Sequence, residues 1–325
     1  MGKILLIDAD STIPNIALGK LSTYHKQRGD KVDFIQLNIP YYPTKKHVHH
    51  VINTRDYDKT YCSVVFNNSI NYVQGDVIEF GGSGYSLDTW LPPNIEGMKV
   101  DYSLYPDNDT SYGFITRGCI RNCYFCVVPK KEGMIHQVAN VDDIVHHKKV
   151  KFLDNNILSF IEHKKILQEL VDKNIKCQFN QGLDIRLVDE ENSELLRQLN
   201  YIGEYIFAFD DWKCLSQIER GMRLLTWAKD WQLKFFVYVQ PDMELANIVN
   251  RMEWLRRHNQ LPYVMRNISC WESEYNELYV DLAAWGNQPG IFKNMTFQEF
   301  LMRRHPKNID RVNKHIRLYK EDTIG

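Results

Sequence analysis

The chain has 325 residues, 44% of them hydrophobic and 12% aromatic, which excludes a disordered protein and allows a substantial core, in about two domains by length. Forty Lys and Arg balance 41 Asp and Glu to a net charge of −1, so no overall field draws the protein to nucleic acid or an anionic membrane. The apolar run before Asp8 is too short for a signal-peptide core, and nothing approaches the ~18 apolar residues of a membrane span, so a cytoplasmic protein without membrane contact is expected.

Lys3-Ile4-Leu5-Leu6-Ile7 reads as a buried strand, and Ala17, Leu18, Leu21 and Tyr24 recur at helical spacing, with Pro14 in the first turn and Gly29 at the C-cap. Strands are expected again at Val32-Asp33-Phe34-Ile35, at residues 61–66 and at Asp76-Val77-Ile78-Glu79-Phe80, giving an N-terminal Rossmann-like parallel sheet. A Pro-, Asp-, Asn- and Tyr-rich stretch over residues 91–112 reads as a connection, which places a boundary near residue 108. Apolar strands then alternate with amphipathic helix-length stretches, at residues 112–116, 150–153, 176–180, 205–209, 233–239 and 262–266. The expected fold class is therefore α/β, a Rossmann-like domain and linker (1–108) followed by a partial (β/α)6 barrel (109–270) and a helical extension (271–325). Residues 300–320 carry seven Lys or Arg against Asp310 alone, either a solvated helix face or a phosphate-contacting surface.

The seven cysteines are an odd number, and three crowd into Cys119-Ile120-Arg121-Asn122-Cys123-Tyr124-Phe125-Cys126, a C-x3-C-x2-C spacing that points to metal binding rather than a disulfide framework. Three thiolates ligate three irons of a cubane and leave the fourth open to a substrate. A Cys3His zinc site completed by His136 is the competing reading. His47-Val48-His49-His50 is a second histidine-rich stretch able to bind a metal, or an exposed loop.

The cysteine spacing, with Phe125 at the aromatic position, resembles the radical S-adenosylmethionine (SAM) superfamily, and the strand-helix units downstream agree with its partial barrel. The resemblance implies a [4Fe–4S] cluster on Cys119, Cys123 and Cys126, SAM as the ligand of the open iron, and a 5′-deoxyadenosyl radical as the product of SAM cleavage. It also implies an electron donor such as flavodoxin or ferredoxin, and a substrate that is a metabolite, peptide or RNA. Phe125 and the polar residues at successive strand ends are the candidate SAM contacts: Asp154 and Asn155, then Gln181, Asp184 and Arg186, then Tyr238. An Asx turn at Asp154 and an Asp184 to Arg186 ion pair are the plainer readings of two of these.

The opening strand and helix, with Gly81-Gly82-Ser83-Gly84, resemble the cobalamin-binding domain of B12-type radical SAM proteins, although the Asp-x-His-x-x-Gly motif is absent. Cobalamin is therefore an optional cofactor, with methyl transfer as one outcome. Cys62 is the only cysteine before residue 119, so a single cluster is expected. The alternative function is a non-catalytic zinc-binding protein whose basic C-terminal helix contacts nucleic acid.

Overall fold

The structure is a computed structural model that describes residues 1–40 and 47–321. The chain is of the α/β class with several parallel sheets. It divides into two compact units, Met1–Asp154 and Asn155–Gly325.

The first unit contains β1 (Lys3–Asp8), α1 (Ile16–Gln27), β2 (Lys31–Gln36), β3 (His50–Val51), β4 (Lys59–Ser63), β5 (Val73–Gln74) and β6 (Glu79–Gly81). These are followed by α2 (Pro93–Glu96), β7 (Thr110–Gly113), β8 (Thr116–Arg117), α3 (Val128–Lys131), β9 (His136–Gln137), α4 (Val141–Ile144) and β10 (Lys149–Phe152). Strands β2-β1-β4-β6 form one parallel sheet in that order.

β1 is a continuous apolar run because both of its faces are covered. Leu5, Ile7 and Ala9 pack with Cys62, Val64 and Val73, while Ile4 and Leu6 pack with Leu18 and Leu21 of α1. Asn15 caps α1 by accepting from Leu18 N at 3.1 Å, so Pro14 lies just outside the helix rather than in its first turn. The helix ends as its sequence implies: Gly29 takes φ +81°, Gly29 N donates to Lys26 O, and Asp30 N donates to His25 O.

A separate parallel pair joins β7 to β10, and an antiparallel pair joins β8 to β9. These short strands set out the neck of the cysteine loop.

The second unit contains α5 (His163–Asp172), β11 (Lys176–Phe179), α6 (Glu190–Gln198), β12 (Tyr205–Ala208), α7 (Leu215–Leu224), β13 (Leu233–Val239), α8 (Leu245–Arg257) and β14 (Leu261–Arg266). Helices α9 (Asn276–Gly286), α10 (Pro289–Asn294), α11 (Phe297–Arg304) and α12 (Ile309–Glu321) complete it. Strands β12-β13-β14 are parallel. The amphipathic face of α8 buries Ile248, Met252 and Leu255, and Gly286 of α9 admits Met252 and Val264, where a β-carbon would lie 2.6 Å from Met252 Cε. Asn287, after α9, accepts from Val264 N at 2.7 Å and donates to Val264 O at 3.2 Å, covering one side of β14 as a neighbouring strand would.

The C-terminal helices meet at one carboxylate. Asp281 of α9 is fully buried, and its oxygens lie 2.9 Å from Arg304 Nε, 3.0 Å from His305 Nε2, 3.2 Å from Arg311 Nη2 and 3.4 Å from His315 Nδ1. Arg311 also reaches Glu277 at 3.2 Å. Two of the seven basic side chains of residues 300–320 thus pair with a buried carboxylate. Burial alone would raise the Asp281 pKa, but the hydrogen bonds from His315 and His305 and the nearby charges bring it below the ordinary value of 3.8.

A carboxylate whose folded pKa is depressed adds stability that is fully present above pH 3.8 and lost as pH falls through the folded value. Replacement Asp281→Asn takes the buried counter-charge from the partly exposed Arg304 and Arg311 and is expected to cost about 3 kcal/mol. Denaturant titration of the two chains at neutral pH and in acid checks both statements: the deficit of the variant narrows as the wild type loses its charge.

Candidate functional site

Cys119, Cys123 and Cys126 lie on a single loop between β8 and β9, and all three are half-buried. Its neck is fixed by four sets of contacts. Asp154, just past β10 and 1% exposed, accepts from Ile115 N at 3.2 Å, Thr116 N at 2.6 Å and Thr116 Oγ1 at 2.7 Å. Arg117 lies over the Phe114 ring at 4.2 Å and forms ion pairs with Glu132 at 3.3 Å and Glu96 at 3.2 Å. Cys119 N donates to Gly133 O at 3.1 Å, and the β8–β9 pairing sets Arg117 opposite His136.

Gly118 turns the chain into the loop with φ +88°, a conformation disfavoured for other residues. A β-carbon there would lie 2.5 Å from Met134 O, so the two limbs approach too closely for a side chain. Beyond the neck, Arg121 N donates to Cys119 Sγ at 3.3 Å and Cys126 N to Cys123 O at 2.9 Å. The Tyr124 and Phe125 rings meet edge to face at 5.4 Å.

Burial separates these thiols from three others. It pushes Cys62 and Cys177 up to about 12 and Cys270 up to about 11, so each stays protonated at neutral pH and is a poor ligand. Among the described residues no three His, Cys, Asp or Glu gather tightly enough to hold one metal ion. A cubane makes a different demand, because each thiolate takes its own iron. Three thiols on one wrapping loop, with a backbone N–H directed at sulfur, fit that cluster in the kind and number of donors. His136 is exposed, with Nδ1 2.9 Å from Met134 O.

The glycine-rich turn after β6 is explained by the protein's own backbone. Gly82 has φ +94° and would place a β-carbon 2.3 Å from Val64 O; Gly84 would place one 2.5 Å from Phe66 C. At the C-terminal ends of β1 and β4, Asp8 accepts from Tyr105 OH at 2.8 Å and Ser11 N at 3.0 Å, and Asp10 accepts from Val65 N and Phe66 N at 2.8 Å. Asn15 donates to Ser11 Oγ at 2.9 Å and Ser63 Oγ at 2.8 Å. Burial raises the Asp8 pKa despite the hydrogen bonds it accepts.

In the second unit, Arg186 clasps Asp184 through both edges of its guanidinium, Nε to Oδ1 at 2.6 Å and Nη2 to Oδ2 at 2.9 Å, and Nη1 lies 3.7 Å from Cys214 Sγ. Gln181 is exposed and Asn155 half-buried. Tyr238 OH donates to Gln240 Oε1 at 2.9 Å and accepts from Asn267 Nδ2 at 2.5 Å. Asp210, at the end of β12, accepts from Tyr238 N at 2.8 Å, and burial pushes its pKa up. The expected residues thus fall into two groups. Phe125 and the three cysteines share one loop rooted on Asp154, while Asp184 with Arg186 and Asp210 with Tyr238 occupy strand ends of the second unit.

The contributions of Glu96, Thr116, Arg117, Glu132 and Asn267 did not emerge from motif reading. Only Arg117, beside Gly118-Cys119, had a local signal. Glu96 is brought to the loop by the fold, 21 positions before Arg117.

Burial raises Asp154 to about 6 in spite of the hydrogen bonds it accepts. A carboxyl group with a raised folded pKa contributes stability that is complete below the unfolded value of 3.8 and lost as pH rises through about 6. The loss is on the order of 3 kcal/mol. In Asp154→Asn this pH dependence disappears, and one amide N–H₂ faces backbone donors, costing about 1 to 3 kcal/mol; denaturant midpoints between pH 4 and 7 check both. Gly118→Ala is expected to leave the helical circular dichroism intact while exposing the loop to limited proteolysis.

No family model matches the chain, and comparisons with curated proteins and with solved structures also give no match.

Proposed function

We propose that the protein is a radical SAM enzyme in which Cys119, Cys123 and Cys126 hold a [4Fe–4S] cluster. The observation that carries this reading is the single-loop placement of three half-buried thiols at C-x3-C-x2-C spacing, on a neck fixed by Asp154, Arg117 and Gly118. Bound there, the cluster would deliver one electron to SAM and yield methionine and a 5′-deoxyadenosyl radical, which abstracts hydrogen from an unidentified metabolite, peptide or RNA.

The protein's own residues set the conditions. Gly118 lets the loop close, the Asp154 carboxylate keeps its root in register, and Phe125 is proposed to shield the bound group from water. In the second unit, Asn155, Gln181 and Tyr238 are proposed as contacts to SAM or substrate. Arg186 has its fork on Asp184 and is proposed to position that carboxylate. We read the strands of residues 1–108 as the Rossmann-like part and those of residues 109–270 as the partial-barrel part of this enzyme, working in the cytoplasm with a flavodoxin- or ferredoxin-like electron donor.

Cobalamin does not enter the reading. The strand ends where the first sheet would meet a ligand are filled by Asp8, Ser11, Asn15 and Tyr105, which bond one another, and by Asp10, which holds Val65 N and Phe66 N; the adjoining glycines pack on the backbone of Val64 to Phe66.

Anaerobic purification tests the proposal. The expected result is a brown protein with about four irons and four sulfides per chain, reduced in the triple cysteine-to-alanine variant. With dithionite and SAM it should release 5′-deoxyadenosine at a rate unaffected by added cobalamin. A colourless protein with one zinc per chain would instead favour the zinc-binding alternative, and cobalamin-dependent S-adenosylhomocysteine would bring that cofactor back.

A further inference from the structure

We infer that His47 and His50 form a second metal site, separate in sequence and chemistry from the cysteine loop, that takes a late first-row divalent ion such as Zn²⁺. Among the described residues, both imidazoles have Nε2 buried from solvent with no hydrogen-bond partner. An enclosed polar atom left unpaired is costly, and two in the same short segment are candidates for a shared ligand. Their ring centres lie 5.9 Å apart, with planes at 53°. Two imidazoles that bind one zinc through Nε2, with Zn–N about 2.0–2.1 Å, hold their ring centres roughly 5 to 6 Å apart. The observed ring separation falls within that range.

Backbone structure fixes the site on one side. His50 begins β3, which pairs in parallel with β5 so that His50 stands opposite Val73. Tyr72, immediately before β5, meets the His47 ring edge-on at 5.2 Å. Tyr72 thus gives His47 a wall, while the β3–β5 pairing anchors His50. Among the described residues no third His, Cys, Asp or Glu completes the group. The other positions therefore go to water or an added ligand, which makes this an open site rather than a closed structural one. Neutral imidazole donors favour zinc, copper or nickel over calcium or magnesium.

His49 supplies the internal control. It lies between the two ligands in sequence and is exposed, and its ring packs on Tyr72 at 5.0 Å.

The test uses the full chain with its cysteine loop loaded with iron and sulfide, dialysed against Zn²⁺ alone, with retained zinc measured by mass spectrometry and its ligands by X-ray absorption. The expected result is one zinc per chain with a nitrogen and oxygen shell at about 2.0–2.1 Å. Affinity should fall about tenfold or more in His47→Ala and in His50→Gln, a loss at least as large as that for removing a supporting partner, while His49→Ala is unchanged. Circular dichroism of the variants distinguishes a lost ligand from a lost fold. Absence of retained zinc, a sulfur shell at about 2.3 Å, or undiminished binding in folded His47→Ala would overturn the site.

Discussion

Asp154 takes three hydrogen bonds from Ile115 and Thr116 through one buried carboxylate, joining the end of β10 to the segment that opens into the cysteine loop. Each neighbouring feature depends on that join. With Thr116 held, β8 can pair with β9, Arg117 points at Glu96 and Glu132, and Gly118 reverses the chain close against Met134. The loop that carries the thiols is thus a short, half-buried excursion on a neck held by the Asp154 hydrogen bonds and the Arg117 ion pairs. In the proposed enzyme the neck would set the position of the three thiols.

Charge is used in the same way elsewhere. Asp281 gathers Arg304, His305, Arg311 and His315 from the C-terminal helices, and Asp184 holds Arg186 in a two-pronged grip. A near-neutral protein with a basic tail therefore does not present all of that charge outward. Arg304 and Arg311 tie α11 and α12 to the buried carboxylate of α9. Asp210 differs from these pairs: its carboxylate caps the Tyr238 backbone N–H while burial keeps its pKa up, and it lies at the end of a parallel strand, where sites on such sheets form.

The strands were legible because β1, β13 and β14 are apolar runs or alternations of the right length, and the end of α1 because Gly29 supplies the left-handed residue that its cap requires. The start of α1 was misplaced by one proline because Asn15, not Pro14, makes the capping hydrogen bond. Asp154 was legible as an important polar residue after a strand, but its partners were not. Nothing in Leu153-Asp154-Asn155 states that the carboxylate turns back to residues 38 and 39 positions earlier.

By itself the sequence determined the α/β alternation and the donor chemistry of the cysteine loop, because periodicity, cap residues and thiol spacing are local properties of the chain. Tertiary structure decided which charges meet: that Arg117 reaches Glu96, that Asp154 holds the loop root and that Asp281 collects the tail. Those pairings join groups far apart in the chain, and they are selected by which faces are buried together, where an unpaired polar atom is costly. The thiols could be counted in the sequence, but the contacts that hold their loop in place required the fold.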